Sequence, residues 1–214
     1  MIRSTLLVLA LAVPAAAQKT MQAMPGTGQL TQTGHFIAIM ENSQFVAPVA
    51  FAMIAYTPST WKADWNDQTK VDAQTVGHTF RLGKNNWATL DLSAPIAFGD
   101  VTVPVGIWYL GVCRDKDGKW SLAFIDPAKA KAAGAWPPSP LSDLAPHAHE
   151  AALTVGKVTA NVDTLKVTMS PDEKAPSKGT FTIEWGNMKA TANYELKIPP
   201  AAADAGAKDT GKKK

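Results

Sequence analysis

Apolar and polar side chains alternate in several short runs of this chain, and a period of two predicts β-strands. The clearest run is 180–185, where Phe181, Ile183 and Trp185 alternate with Thr180, Thr182 and Glu184. In 188–198, Met188, Ala190, Ala192, Tyr194, Leu196 and Ile198 alternate with polar partners, and Pro199-Pro200 ends the pattern. Gly186-Asn187 lies between the two runs and predicts a two-residue hairpin loop. A second hairpin is expected at the centre of the chain. Runs 106–113 and 120–125 flank Asp115-Lys116-Asp117-Gly118, and an Asp-Gly turn between alternating runs is a strong hairpin signal. Trp108, Leu110 and Val112 share one face of the first run; Trp120, Leu122 and Phe124 share one face of the second.

The remaining segments extend this plan. Residues 35–40 predict an outer strand, 41–44 a turn, and 49–56 a strand whose pattern shifts at Ile54, as a β-bulge there would cause. Residues 57–81 are the least strand-like part of the body, and Ser59 is placed to cap one helical turn around Trp61 and Trp65. Strands are expected at 87–92, 95–99 and 100–103, with Gly99-Asp100 as a turn. A helical turn and a proline-stiffened loop follow in 128–144, and a further strand at 162–169. The fold class predicted is an all-β, antiparallel β-sandwich with short helical turns in its loops; jelly-roll-like and immunoglobulin-like topologies both remain open.

Composition bounds this picture. The chain has 214 residues, enough for one domain with a sizeable core. Residues 1–17 read as a secretory signal peptide: Arg3 supplies the positive region, 5–13 the apolar stretch, and Ala15-Ala16-Ala17 a small-residue cleavage site before Gln18. The apolar stretch is about half the ~20 residues a membrane span needs. The expected organisation is a mobile leader at 18–33, a single β-sandwich domain at 34–200, and a disordered Lys-rich tail at 201–214. The expected location is the periplasm or the outside of the cell. Cys113 is the only cysteine, so the core must supply stability without an internal disulfide. It reads either as a small, half-buried hydrophobe or as a reactive thiol. Arg3 and the tail, with Lys208, Lys212, Lys213 and Lys214 against Asp204 and Asp209, carry the whole net charge of +3. The body is neutral and lacks the basic face that nucleic-acid binding requires.

Candidate chemistry is sparse. No Gly-rich phosphate loop, nucleophile elbow or metalloprotease motif occurs, so no catalytic residue is assigned and a non-enzymatic role is the first expectation. Pro146-His147-Ala148-His149-Glu150 is the one constellation with metal chemistry. In an extended segment His147 and His149 project from one face, and two imidazoles so placed suit a divalent transition metal. His35, His78 or a carboxylate is expected to complete the set. Arg81 with Asn85 and Asn86 is a candidate corner for a carboxylate or a cluster of sugar hydroxyls. Trp61 and Trp65 serve either as a sugar-stacking platform or as a lid on one end of the core.

Residues 83–110, GKNNWATLDLSAPIAFGDVTVPVGIWYL, resemble a segment of the exported bacterial proteins grouped as domain of unknown function 2911. There a Gly-x-Asn loop leads into a strand, a Gly-Asp or Gly-Gly turn, and a Pro-x-Gly before an aromatic strand. The strands at 120–126, 162–169 and 180–185 follow the family's order, and Tyr56-Thr57-Pro58 is similar to its upstream Tyr-x-x-Pro element. The resemblance covers 49–198. It departs at Phe80-Arg81-Leu82-Gly83-Lys84-Asn85, where the family's Trp-Arg-x-Gly-Ala-Asn keeps its Arg, Gly and Asn but not its Trp and Ala. The resemblance implies an exported bacterial β-sandwich and brings no catalytic residues. Taken together, the expected function is a binding module for a small molecule, a glycan or an envelope partner. The alternative is a metal-binding protein or metal-dependent enzyme built on His147 and His149.

Overall fold

The computed structural model describes residues 30–60, 67–84, 86–134 and 147–198. The expected signal peptide, the leader as far as residue 29, the helical turn around Trp61 and Trp65, Asn85, the loop after 134 and the Lys-rich tail lie outside the described residues. Among the described residues ten strands form: β1 (Thr31–Glu41), β2 (Gln44–Tyr56), β3 (Phe80–Arg81), β4 (Ala88–Leu92), β5 (Ile96–Phe98), β6 (Val101–Val103), β7 (Gly106–Arg114), β8 (Trp120–Ile125), β9 (His149–Asp172) and β10 (Ala175–Leu196). All strand pairs are antiparallel, in the order β1-β2-β4-β7-β8-β9-β10-β5-β6. β3 joins the β7 edge that β4 also uses. The fold is all-β, as the alternating pattern predicts.

β9 makes the sandwich. Its first residues pair with β8, from His149 opposite Phe124 to Leu153 opposite Trp120. From Thr154 onward its pairing is with β10. One strand thus serves two sheets, and the apolar faces of both meet in a single core. Ile54, Leu90, Leu110, Leu122 and Phe124 come from one side; Leu165, Val167, Phe181, Ile183 and Trp185 come from the other. Burying such faces against each other is the main favourable term in folding.

Among the described residues, two short helices pack beside β7. α1 (Gln68–Thr75) is capped by Asp67, whose carboxylate accepts from the Thr69 N–H, the usual way to satisfy an orphan donor. It sends Val71 into the core and pairs Asp72 with Arg114. α2 (Pro127–Ala132) is capped by Asp126 with Pro127 in its first turn. Its Ala130 packs with Trp87 and Ile125, and half-buried Tyr109 packs against them. α2 meets the expected helical turn.

Several boundaries differ from the sequence reading. β10 runs unbroken through Gly186-Asn187, so no hairpin loop lies there. The change of phase between Trp185 and Met188 has another cause: a register shift against β9, with Gly186 at φ 59°, a bulge that advances the alternation and keeps the chain in the strand. β2 alternates without interruption through Ile54; its shifts fall beside Val49 and Val46, which β1 leaves unmatched. β1 begins at Thr31, within the stretch expected to be a leader. β9 starts at His149, well before the expected 162, because its early residues alternate small side chains that carry little apolar signal.

The two ends of the described chain are joined by His35 and Tyr194. His35 is 2% exposed, and its Nδ1 lies 2.9 Å from Tyr194 Oη. A backbone hydrogen bond ties the ring to Pro176. Gly179 leaves room for this pair: a Cβ there would meet Tyr194 Oη and lie 2.6 Å from the Ser170 carbonyl. Gly179→Ala is expected to cost about 1–3 kcal/mol by overpacking, read as a lower urea midpoint. Burial also holds the His35 pKa below its ordinary 6.5. The unfolded chain therefore takes up a proton that the folded chain resists, so this contribution is complete above pH 6.5 and falls away as the pH drops toward the lowered value. Urea unfolding at pH 7.5 and 5.5 should show a fall in stability that His35→Gln reduces; an identical pH response in the variant would remove His35 as its source.

Candidate metal centre

The faces of β7 do different work. Trp108, Leu110 and Val112 turn toward the main core, while Tyr109, Gly111 and Cys113 turn the other way. Cys113 lies opposite Ser121 on β8, and Ser121 opposite Ala152 on β9. Two residues before Ala152 on the same face is Glu150. The chain enters β9 through a bend at Ala148, whose N–H donates to the Phe124 carbonyl at 2.9 Å. That bend takes His147 out of the strand's alternation and sets it over Glu150.

The result is a cluster of three potential ligands. One ligand atom each from Cys113, His147 and Glu150 lies within 4.8 Å of the others. His147 Nδ1 bonds Glu150 Oε1, and His147 Nε2 bonds Thr79 Oγ1. Glu150 Oε2 also receives a long contact from Cys113 Sγ at 3.9 Å. Thr79 reaches the imidazole because Gly111 has no side chain; a Cβ there would lie 2.5 Å from Thr79 Cγ2 and 3.1 Å from the Phe80 carbonyl. Cys113 is buried, His147 half-buried and Glu150 exposed, so the cluster opens to solvent on its carboxylate side.

The electrostatics set the resting state. Burial first, then the Glu150 charge, a hydrogen bond to that carboxylate and the Asp115 charge push the Cys113 thiol up to about 12. At neutral pH the sulfur stays protonated and is a poor nucleophile. The hydroxyl–imidazole–carboxylate chain Thr79–His147–Glu150 has the connectivity of a hydrolase triad. Thr79, however, is only 2% exposed, which keeps its hydroxyl away from any substrate. Its role toward His147 is to hold the ring.

The structure distributes the sequence candidates as follows. His147 joins the cluster with Cys113 and Glu150, and His149 is not part of it. The His149 ring stands edge-on to Trp108, with centroids 5.2 Å apart. His35 is engaged with Tyr194, far along the chain from this site. Arg81 is half-buried in β3 opposite Gly111, and burial lowers its guanidinium below the ordinary value. Asn86 is exposed, and its N–H donates to the Lys84 carbonyl at 2.8 Å. Asn85, Trp61 and Trp65 lie outside the described residues. Cys113 and Thr79 are the members that the sequence does not single out as ligand and support. The β7–β8–β9 register brings Cys113 to the cluster, and the β3–β7 pairing next to Thr79 brings its hydroxyl to His147. No family model matches the chain, and neither a curated protein nor a solved structure matches it.

The thiol should behave as a buried acid. Alkylation by iodoacetamide at pH 8 is expected to be slow in the folded protein, and Glu150→Gln should quicken it several-fold by removing the neighbouring charge. Fast labelling of the wild type, at the rate of an unfolded control, would contradict this environment.

Proposed function

We propose that this protein is a metal-binding β-sandwich that holds a divalent transition metal, zinc in the first instance, on Cys113, His147 and Glu150. The observation that carries the reading is the convergence, within 4.8 Å, of the Cys113 thiol with the His147 imidazole and the Glu150 carboxylate, which lie more than thirty positions further along the chain. That donor set suits zinc, which takes Cys sulfur, His nitrogen and carboxylate oxygen in one tetrahedral site. The surrounding groups support it. A metal-ligating histidine ordinarily has its second ring nitrogen fixed by a neighbour, and His147 meets Glu150 through Nδ1 and Thr79 through Nε2. With Nδ1 as ligand, Nε2–H donates to Thr79 Oγ1. Three protein ligands leave a fourth position for an exchangeable group, the arrangement of a binding or catalytic site more than of a closed structural one. The export inferred from residues 1–17 belongs to this proposal, carried by the sequence pattern alone, as does kinship with domain of unknown function 2911. No described helix is long and apolar enough to cross a membrane.

The first test is thermal unfolding with zinc. At free zinc a hundredfold above Kd, binding to the folded state alone contributes about 2.7 kcal/mol, or about 5–10 °C for a domain of this size. Cys113→Ser and His147→Ala should abolish the rise, and His149→Ala should retain it. A rise that survives loss of Cys113 would overturn the assignment. Because the thiol is protonated beforehand, binding should also release about one proton near pH 7. Calorimetry in buffers of different ionisation enthalpy measures that number, and a value of zero would exclude Cys113 as a thiolate ligand.

A further inference from the structure

A groove of about 650 Å³ adjoins the cluster, and its lining includes Ser121, Glu150, Asp100, Thr154, Thr191 and Asn193. It is walled by β8 and the start of β9 on one side and by β10 and the β5–β6 turn on the other. Glu150 belongs both to this wall and to the three-ligand cluster. Glu150 is exposed, so the groove and the cluster share one solvent-facing carboxylate.

The chemistry of the lining selects what enters. Among the described residues its charged side chains are two carboxylates, Asp100 and Glu150, with no lysine or arginine. Anionic ligands meet repulsion and no counter-charge. The remaining polar groups are three hydroxyls and one carboxamide. Thr180 Oγ1 donates to Asn193 Oδ1 at 3.2 Å, which directs the amide N–H groups of Asn193 elsewhere as donors. Hydroxyls both donate and accept, whereas the Asp100 carboxylate only accepts. A bare metal cation uses acceptors alone and gives the amide donors no partner. A neutral ligand rich in hydroxyls uses both kinds of group.

We infer that the groove is the ligand cleft of the metal centre and that it takes a neutral, polyhydroxylated ligand of the carbohydrate class. Asp100 and Asn193 grip its hydroxyls, and the ligand's end approaches the metal's exchangeable position past Glu150. This inference rests on the metal reading above for its link to the cluster; the groove contacts stand on the lining residues themselves.

The test uses the full chain, loaded with zinc, on an array of neutral, acidic and cationic glycans. Binding to neutral glycans is expected, at least tenfold weaker in Asp100→Ala/Asn193→Ala. Both positions are exposed, and an unchanged thermal midpoint confirms that the variant folds. Cys113→Ser or chelator should weaken the same glycans. Zinc binding by calorimetry with no neutral glycan retained would overturn the cleft and leave the metal reading standing. Preference for acidic or cationic glycans, or indifference to the double substitution, would also overturn it. Glycan binding unaffected by Cys113→Ser and chelator would overturn the link between groove and metal.

Discussion

The architecture depends on the partner exchange within β9. Buried backbone N–H and C=O groups must be paired, and β9 satisfies that demand twice, first against β8 and then against β10. The exchange fixes how the two apolar faces meet. It also determines what lies at the crossing. Glu150 and Ala152 sit on the last stretch that belongs to β8, and Thr154 on the first that belongs to β10. The carboxylate of the proposed centre and the wall of its groove are thus products of the same crossing that joins the layers.

The cluster combines a thiol and a carboxylate that would repel each other if both were ionised. A carboxylate beside a buried thiol keeps the sulfur neutral, and the imidazole bridges carboxylate and hydroxyl. A bound cation would reverse that balance by favouring thiolate and carboxylate together. The apo arrangement is therefore held by hydrogen bonds that metal binding would trade for coordination. Gly111 is the steric condition for this, since Thr79 occupies the place of its missing side chain.

Local patterns made much of the fold legible. Asp117-Gly118 turns the central hairpin, with Gly118 at φ 84°, and Gly99, at φ 58°, turns β5 into β6. The alternation of Phe181, Ile183 and Trp185 gave the core face of β10 correctly. What it did not give was continuity. A phase change with glycine is common to a hairpin loop and a bulge, and only pairing with β9 separates them. α1 leaves no helical period in the sequence because, among its described apolar side chains, Val71 alone enters the core. The candidate site was legible to the extent that its ligands are sequential: His147 and Glu150 stand three apart, while Cys113 arrives across two strand registers. An extended segment would put His149 on the same face as His147, and the bend at Ala148 separates them.

His35 and Tyr194 meet across 159 positions, and β10 supplies a large part of one wall of the core. Native contacts this distant in sequence make folding slow, because the loop entropy is lost before the contacts repay it. A nascent chain reaching only as far as β8 has β1, β2, β4 and β7, but its β5 and β6 lack the β10 they pair with, so no opposite layer covers the first sheet. Its apolar face stays open until β9 and β10 have both been synthesised. Folding of this molecule is consequently a late, nearly all-or-none event, and the interval before it is when the chain most needs a holding partner.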